Sequence, residues 1–544
     1  LAPYTLPGGL WLIMESVQGL ICIFGSMNKR VIYFFAGLFI FLAPPVFSQS
    51  AYFKTIGKFS QDYTFNIQKT LEGGFIMCGI SNSYGGSSYL FMIKTDANGD
   101  TNWVKGYVTT NTIYGWSVFP CTDSGFAVCG NTGFGKVDKN GNMLWTYLYP
   151  GAILNSIRQT ADGGFILAGS VGQSGNSNGV DVYLLKTDAN GTKQWSRKLG
   201  GPADEYSTSV RITSDGGYIL AGSTDSYGAG AWDTYVIKTD ASGDTLWTRT
   251  YGGSSVDGGV TSSRQTINET FDGGYIIGGY STSFFTAGGT DAYLIKTDVA
   301  GDVQWSKLYG GAGSDLIFDV RQCADSGYVF TGYTTSFGGG GTDIYLVRTD
   351  VNGDTLFTRT FGDLFADYGQ SVLETDDKGF LICGYTTNFG SGNNDVALIK
   401  TDSMGNTSCY QYNTGTQVSN AATQTGITAT GKIFITVNIS SSQPVAKGGA
   451  ILTDACLLNG VDENAFQERV SVFPNPNSGA FSVALNSPAE IRLRDILGNT
   501  LYTGQSKNGQ NIVQIDLPEI APGTYFLELF RDHTKKVHKI LICR

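Results

Sequence analysis

The sequence predicts an all-β chain: a ring of seven four-stranded units followed by a small antiparallel β-sandwich. Three observations carry this. A Gly-aromatic pair recurs at Gly74-Phe75, Gly125-Phe126, Gly164-Phe165, Gly217-Tyr218, Gly274-Tyr275, Gly327-Tyr328 and Gly379-Phe380. A Lys-Thr-Asp signature recurs at Lys94, Lys136 (there Lys-Val-Asp), Lys186, Lys238, Lys296, Arg348 (there Arg-Thr-Asp) and Lys400. Both series have a mean spacing of about 51 residues, a period that marks propellers and solenoids. The third observation concerns the ends of the array: it begins with a fragment that its last unit lacks.

Residues 215–253 show one unit in full. Runs rich in Tyr, Val, Ile and Thr alternate with Gly, Asp and Ser turns, and these read as strands rather than helices. Each unit has four, named A to D here. A precedes the Asp-Gly-Gly turn, B follows it, C ends in Lys-Thr-Asp, and D carries an aromatic residue. Trp103, Trp145, Trp195, Trp247, Trp305 and Phe357 mark strand D in six units, and the seventh has Cys409 in that place. The matching D pattern stands at the start of the array, in residues 52–57. A chain that opens with D and closes with A, B and C is built to join its ends, because closure pairs two otherwise open sheet edges. The fold class is therefore a seven-bladed β-propeller, closed by one strand from the front and three from the back. The second unit has only residues 131–135 between B and C, so a short hairpin and a slightly stunted blade are expected.

Composition bounds the function. Glycine contributes 74 of 544 residues, as tight turns require. A net charge of -10 leaves no basic stripe for phosphates, so no nucleic-acid partner is expected. The two histidines, His533 and His538, lie near the C-terminus, which leaves the array without a Ser-His-Asp site or a His-ligated zinc. No cofactor and no metal site is expected.

Domain organisation follows from shifts in character along the chain. Residues 1–26 match nothing downstream and read as sequence upstream of a start at Met27. Residues 27–48 have a basic Lys29-Arg30, an apolar run and Val46-Phe47-Ser48, the pattern of a secretory signal peptide. The apolar run is shorter than the roughly 20 residues of a membrane span, so no transmembrane span is expected after cleavage. The propeller covers 49–410. A linker or cap rich in Thr, Ser, Gln and Asn covers 411–465, with one strand-like run at 432–439. Residues 466–544 alternate short strands and turns, as an Ig-like β-sandwich does.

The repeat units, with Ile276-Ile277-Gly278-Gly279, Tyr293, Asp298 and Trp305, resemble kelch-type propeller repeats. They are more similar to the Gly- and Asp-rich repeats of large secreted proteins from gliding and gut bacteria, which implies fold rather than function. In the C-terminal part, Pro474-Asn475-Pro476 with Gly479, then Asp495, Gly498, and Pro522-Gly523 with Tyr525, resemble the C-terminal sorting domain of type IX secretion substrates. That resemblance implies handling by the type IX machinery and a secreted or outer-surface location.

Chemistry is sparse. The turns opening at Asp96, Asp188, Asp240, Asp298 and Asp350 resemble the start of a calcium loop. Glycine comes one place early, however, and no distal Glu follows, so they read as C–D hairpin turns. Asp181, Asp233, Asp291, Asp343 and Asp395 recur before strand C and read as hydrogen-bonding turn devices. Asp62, Glu205, Asp257, Asp315 and Asp367 recur in the D–A loops, which argues against a unique carboxylate pair of the kind glycosidases need. Cys78, Cys129 and Cys383 share one strand-B position and read as small-residue packing. Cys409 and Cys456 lie outside the repeat positions of an exported chain and are expected to form a disulfide.

The aromatic residues of the B–C loops, Tyr84, Tyr227, Trp232, Phe284, Phe285, Phe337 and Phe389, stand amid Gly and Ser. With Trp116, they are the candidate ligand-binding residues. Trp116 and Trp232 break the repeat. On the face shared with the D–A loops they would stack on sugars or grip a protein; the alternative is that they fold back as loop cores. The function expected is a secreted or surface-attached binding or adhesion module for a glycan or surface protein. An extracellular carbohydrate-active enzyme using Asp or Tyr, or a structural surface-layer component, are the alternatives.

Overall fold

The computed structural model of the chain describes residues 51–454, apart from 59, 84–88, 109–113, 173–178, 259–264, 285–288, 391–392, 408–409, 422–423, 428–439, 442–444 and 449–450, and the strand-forming parts of 471–542. The expected signal peptide, the strand-like run 432–439, Tyr84, Phe285, Cys409 and Cys456 lie outside the described residues. Every regular element described is a β-strand.

Seven four-stranded sheets share one plan. In the fourth, Glu205–Ile212, Tyr218–Thr224, Asp233–Thr239 and Thr245–Gly252 pair antiparallel in chain order as A, B, C and D. B and C are buried along their whole length, whereas the start of D is partly exposed. This is why B and C read as nearly unbroken apolar runs and D does not. Each A strand also packs against the inner strands of the neighbouring sheets, and Asp62–Lys69 meets both Ser117–Pro120 and Phe380–Thr386. The sheets thus form a propeller-like ring. Tyr52–Gly57 pairs antiparallel with Asp395–Lys400, from Tyr52 opposite Lys400 to Ile56 opposite Val396. In the second sheet, Phe126–Gly130 and Gly133–Val137 pair up to Gly130 opposite Gly133, so the short hairpin keeps all four strands.

The repeated signatures hold the sheets to themselves and to one another. The Lys-Thr-Asp lysine reaches the acid of the A–B turn in its own sheet: Lys94 to Glu72 at 2.6 Å, Lys186 to Asp162 at 2.8 Å, Lys238 to Asp215 at 2.8 Å and Lys296 to Asp272 at 2.9 Å. Lys136–Asp123, Arg348–Asp325 and Lys400–Asp377 complete the series. The strand-D aromatic packs on the C–D turn of the next sheet. There Gly353, at φ +78°, has no room for a side chain, because a Cβ would lie 2.9 Å from the Trp305 indole. Tyr52 covers Gly99 in the same way, so the aromatic series also closes the ring. The Asp of each C–D turn accepts backbone N–H bonds, as Asp96 does from Asn98 (2.8 Å) and Asp100 (2.9 Å). These are Asx turns, the hairpin reading of the sequence.

Residues 411–454 add a strand to the outer edge of six sheets, in reverse order around the ring. Gln411–Asn413 pairs with Thr355–Phe361, Gln417–Asn420 with Val303–Gly310, and Gln424–Ile427 with Thr245–Gly252. Ser440–Ser441 then pairs with Met143–Leu148, Val445–Gly448 with Thr101–Val108, and Ile451–Asp454 with Tyr52–Gly57. These described strands form a circumferential belt, and they cover edge N–H and C=O groups that would otherwise invite pairing with other chains.

The C-terminal strands form two sheets, Ser471–Phe473, Ala480–Ala484 and Ile512–Asp516 in one, and Glu490–Arg494, Thr500–Gln505, Gly523–Arg531 and Thr534–Ile542 in the other. Val483 and Ile515 from the first share a buried cluster with Ile491, Leu493, Tyr525 and Leu527 from the second. Of the expected sorting-motif residues, Gly523 opens a strand and Tyr525 is buried. Pro474, Asn475, Pro476, Gly479, Asp495, Gly498 and Pro522 lie outside the described residues.

Candidate functional site

The A strands surround a cavity of about 570 Å³ on the ring axis, within the size range of small-ligand sites, roughly 300–1,000 Å³. A backbone irregularity aims its walls. In five sheets the A strand carries a β-bulge, between Thr64 and Asn66, Leu154 and Ser156, Ser207 and Ser209, Ile317 and Asp319, and Gly369 and Ser371. The bulged residues, Phe65, Asn155, Thr208, Phe318 and Gln370, all line the cavity. A bulge leaves one residue without a ladder partner and re-aims it. Neighbouring A strands are stitched at the same level: Asn155 Nδ2 donates to Ser207 O at 2.8 Å, and Thr208 Oγ1 to Gln265 O at 2.6 Å.

At the end of the strands where the D–A and B–C loops leave, half-buried aromatic rings make an arc. Phe318 meets Tyr333 at 5.6 Å between centroids, Tyr333 meets Tyr368 at 5.3 Å, and Tyr368 stacks on Tyr385 at 4.8 Å. Tyr63 continues from Tyr385 (4.8 Å) to Phe65 (6.4 Å), and Trp116 from Phe65 (4.7 Å) to Tyr114 (6.1 Å). Tyr206, in the fourth sheet, stacks with Trp232 at 5.7 Å. Offset and edge contacts of this kind hold rings in place without a tight core. Burial raises the Tyr333 phenol, helped by Tyr368.

Toward the other end of the A strands the lining turns cationic. Arg158, 7% exposed, donates to Ile157 O at 2.6 Å and lies over the Phe119 ring. Arg211 donates to Asn268 Oδ1 at 2.7 Å and turns back up its strand to Ser209 Oγ at 3.0 Å. Arg321, outside the lining, donates to Asp319 Oδ2 at 3.2 Å. Burial first, then the charge of Arg321, bring the Arg158 guanidinium down to about 10. Burial, Arg158 and Arg321 likewise hold Arg211 well below its usual value. Asp319 is the carboxylate among the described lining residues, and it also accepts from Ser371 Oγ at 2.6 Å and Val372 N at 3.2 Å.

The residues singled out in the sequence fall in two places. Trp116 lines the cavity, and Trp232 backs Tyr206, which lines it. Tyr227, Phe284 and Phe337 fold back on strand C, against Tyr235 (6.1 Å), Tyr293 (6.1 Å) and Tyr345 (6.3 Å). Phe389 is buried between Phe53 and Tyr410. The cavity residues of strand A were missed, although a signal existed. In register, the position of Arg158 is held by Gln68, Phe119, Arg211, Asn268, Arg321 and Leu373 in the other six sheets. It is a position where the repeat does not repeat.

The recurring acids serve the loops. Asp233 Oδ2 accepts from Ala229 N at 2.9 Å, and Asp343 Oδ2 from Gly339 N at 3.2 Å. Asp315 Oδ2 accepts from Gly311 N at 2.9 Å and Ser336 Oγ at 2.6 Å. Among the described residues no cluster of three or more His, Cys, Asp or Glu is arranged to hold a metal. Cys121 and Cys323 are buried, and burial pushes both thiols up to about 12, so neither is a nucleophile near neutral pH.

Residues 471–543 match the model of the secretion system C-terminal sorting domain. The Regulatory protein FlaEY of Caulobacter vibrioides is 26% identical over 235 residues, which are 37% of this chain and 24% of that protein. The chain thus spans about a quarter of the curated relative it matches. Among solved structures, a protein of unknown function from Bacteroides caccae is similar at a TM-score of 0.32 and 15% identity, over 53% of this chain and 93% of that one. The extracellular domain of the one component system BT4673 from B. thetaiotaomicron has a TM-score of 0.37 and 11% identity, over 91% and 59%. The V. cholerae biofilm matrix protein Bap1 has a TM-score of 0.22 and 9% identity, over 91% and 88%. Likeness at these levels says nothing about ligands. No helix among the described residues is long and apolar enough to cross a membrane. The sorting domain marks the protein as a type IX secretion substrate, secreted or held at the cell surface.

Proposed function

We propose that the chain is a seven-bladed β-propeller with an Ig-like sorting domain, and that it serves outside the cell as a saccharide-binding module. The propeller spans 49–410, the belt 411–465 and the sorting domain 466–544. The observation that carries the binding reading is the arc of half-buried aromatic rings around the axial cavity. Pyranose rings present flat C–H faces, which stack on exposed aromatic faces. A rigid scaffold with variable inner positions is where recognition resides.

Binding rather than hydrolysis is favoured by the lining. A glycosidase places two carboxyl groups about 5–9.5 Å apart, whereas the described lining offers Asp319 alone, already engaged by Arg321, Ser371 and Val372. The test is a glycan array probed with the secreted chain, followed by Trp116→Ala and Tyr206→Ala. Each variant is expected to weaken a hit at least tenfold without changing the melting temperature by more than a few degrees. Hits that neither variant weakens contradict the reading.

A further inference from the structure

Charge is unevenly placed in this molecule. The chain carries a net charge of -10, yet its axis gathers Arg158, Arg211 and Arg321 around one carboxylate, Asp319. Two positive charges are therefore left over among Arg158, which is buried, and Arg211 and Arg321, which are half-buried. Like charges brought together with burial are costly unless an anion or hydrogen bonds compensate them.

The compensation within the chain is incomplete. Nη2 of Arg321 is buried without a hydrogen-bond acceptor. Gln265 lines the cavity, is 1% exposed, and has neither its amide N–H nor its amide oxygen bonded. Buried side-chain polar atoms are ordinarily satisfied, so the unbonded Gln265 amide in the wall and the surplus guanidinium charge of Arg158 and Arg211 describe a receptor for an acceptor-rich group. Guanidinium forks are suited to carboxylate and sulfate, which they meet with paired N–H bonds.

We infer that the axial cavity selects an anionic saccharide, its ring faces against the aromatic arc and its carboxylate or sulfate on Arg158 and Arg211, the two guanidinium groups that line it. The inference rests on the saccharide reading above and adds the class of sugar. Gln265 contributes a neutral donor and acceptor to ring hydroxyls, and Asp319 holds Arg321 in place without neutralising the whole cluster.

Calorimetric titration of the full secreted chain with two matched pairs of probes tests this. One pair is trigalacturonate and its carboxyl-reduced neutral form; the other is a sulfated galactan tetrasaccharide and its desulfated form. The expected result is binding of at least one acidic member, with its neutral counterpart at least tenfold weaker. The pair that responds tells carboxylate from sulfate. Arg211→Gln should then cost at least tenfold against the acidic probe and leave the neutral one unchanged, while Trp116→Ala weakens both. Should Arg211→Gln fail to fold, Arg158→Gln and the wild-type ratio of acidic to neutral affinity still decide. Equal affinity for acidic and neutral members overturns the anion preference and leaves the saccharide reading standing. Inorganic sulfate binding as tightly as the sulfated sugar, with no response to Trp116→Ala, overturns the inference as a mere anion site. No binding of any of the four overturns both readings.

Discussion

The ammonium of Lys400 lies 2.9 Å from the carboxylate of Asp377, with the lysine side chain fully buried and the aspartate side chain 7% exposed. It is the most enclosed member of a series found in all seven sheets. Its position is telling, since Lys400 is also the residue opposite Tyr52 where the ring closes. Removing one partner of such a pair strands the other charge without solvent. Asp377→Ala is expected to cost about 3–5 kcal/mol in chemical denaturation, and a Lys400→Met, Asp377→Leu double variant much less. A loss under 1 kcal/mol in the single variant speaks against a structural role for the pair.

The ion pairs also set the acid limit. Partial burial works against the charge of Asp162, Asp215 and Asp272. Hydrogen bonds from Lys186, from Lys238, and from Thr270 with Lys296 outweigh it and hold these carboxyls at about 2. Their folded values lie below the unfolded value of about 3.9. The stabilisation is therefore present above about pH 4 and lost as pH falls toward 2. Acid unfolding followed by circular dichroism should show its main loss in that window.

Another set of acids acts with the opposite sign. Burial lifts Asp233 and Asp343 to about 6 and Asp367 to about 7. Their folded values exceed the unfolded one, so their contribution is complete below about pH 4 and lost as pH rises toward 7. The melting temperature is expected to fall between pH 5 and pH 8. Asp367→Asn, which keeps an acceptor for the Asp363 N–H, should shrink that fall; an unchanged slope contradicts the assignment.

Phe53 carries the closure in side-chain terms. It is fully buried and sits in one cluster with Ile344, Phe361, Phe389 and Ile399. Phe53→Ala should destabilise by about 3–5 kcal/mol, as much as a core residue from the middle of the array. A surface-like effect below 1 kcal/mol is the result that breaks the closed ring.

The belt is expected to protect edges rather than build the core. Deleting 411–454 while keeping the sorting domain should leave the far-ultraviolet circular dichroism β-rich. It should also lower the melting temperature and raise the oligomer fraction in size-exclusion chromatography, because six outer strands lose their partners. A monomer of unchanged stability speaks against the belt.

Much of the ring was legible because its signatures are structural contacts. The Lys-Thr-Asp lysine touches the A–B turn acid of its own unit, and the strand-D aromatic touches the C–D turn glycine of the next, so they recur together. Tyr52 was recognisable as a strand-D residue for the same reason. The belt was not legible, since its strands are two to four residues long and mostly polar, and they pair through backbone groups that any side chain allows. The cavity was half legible. Trp116 and Trp232 stood out as departures from the repeat, whereas Tyr227, Phe284 and Phe337 recur in the B–C loops and fold back on strand C. What separates them is the bulge in strand A, a register shift that residue types do not announce. Arg158, Arg211 and Arg321 read as ordinary surface residues of an alternating strand until the seven A strands are set side by side.

The central claim is that recognition takes place on the ring axis. A crystal structure of the secreted chain with a bound saccharide from the array tests it most directly. The account predicts a sugar ring against Trp116, Tyr368 or Tyr206, with its acidic group within hydrogen-bond distance of Arg211. A saccharide bound instead over the outer belt, or on the A–B turns with the axial cavity empty, contradicts it.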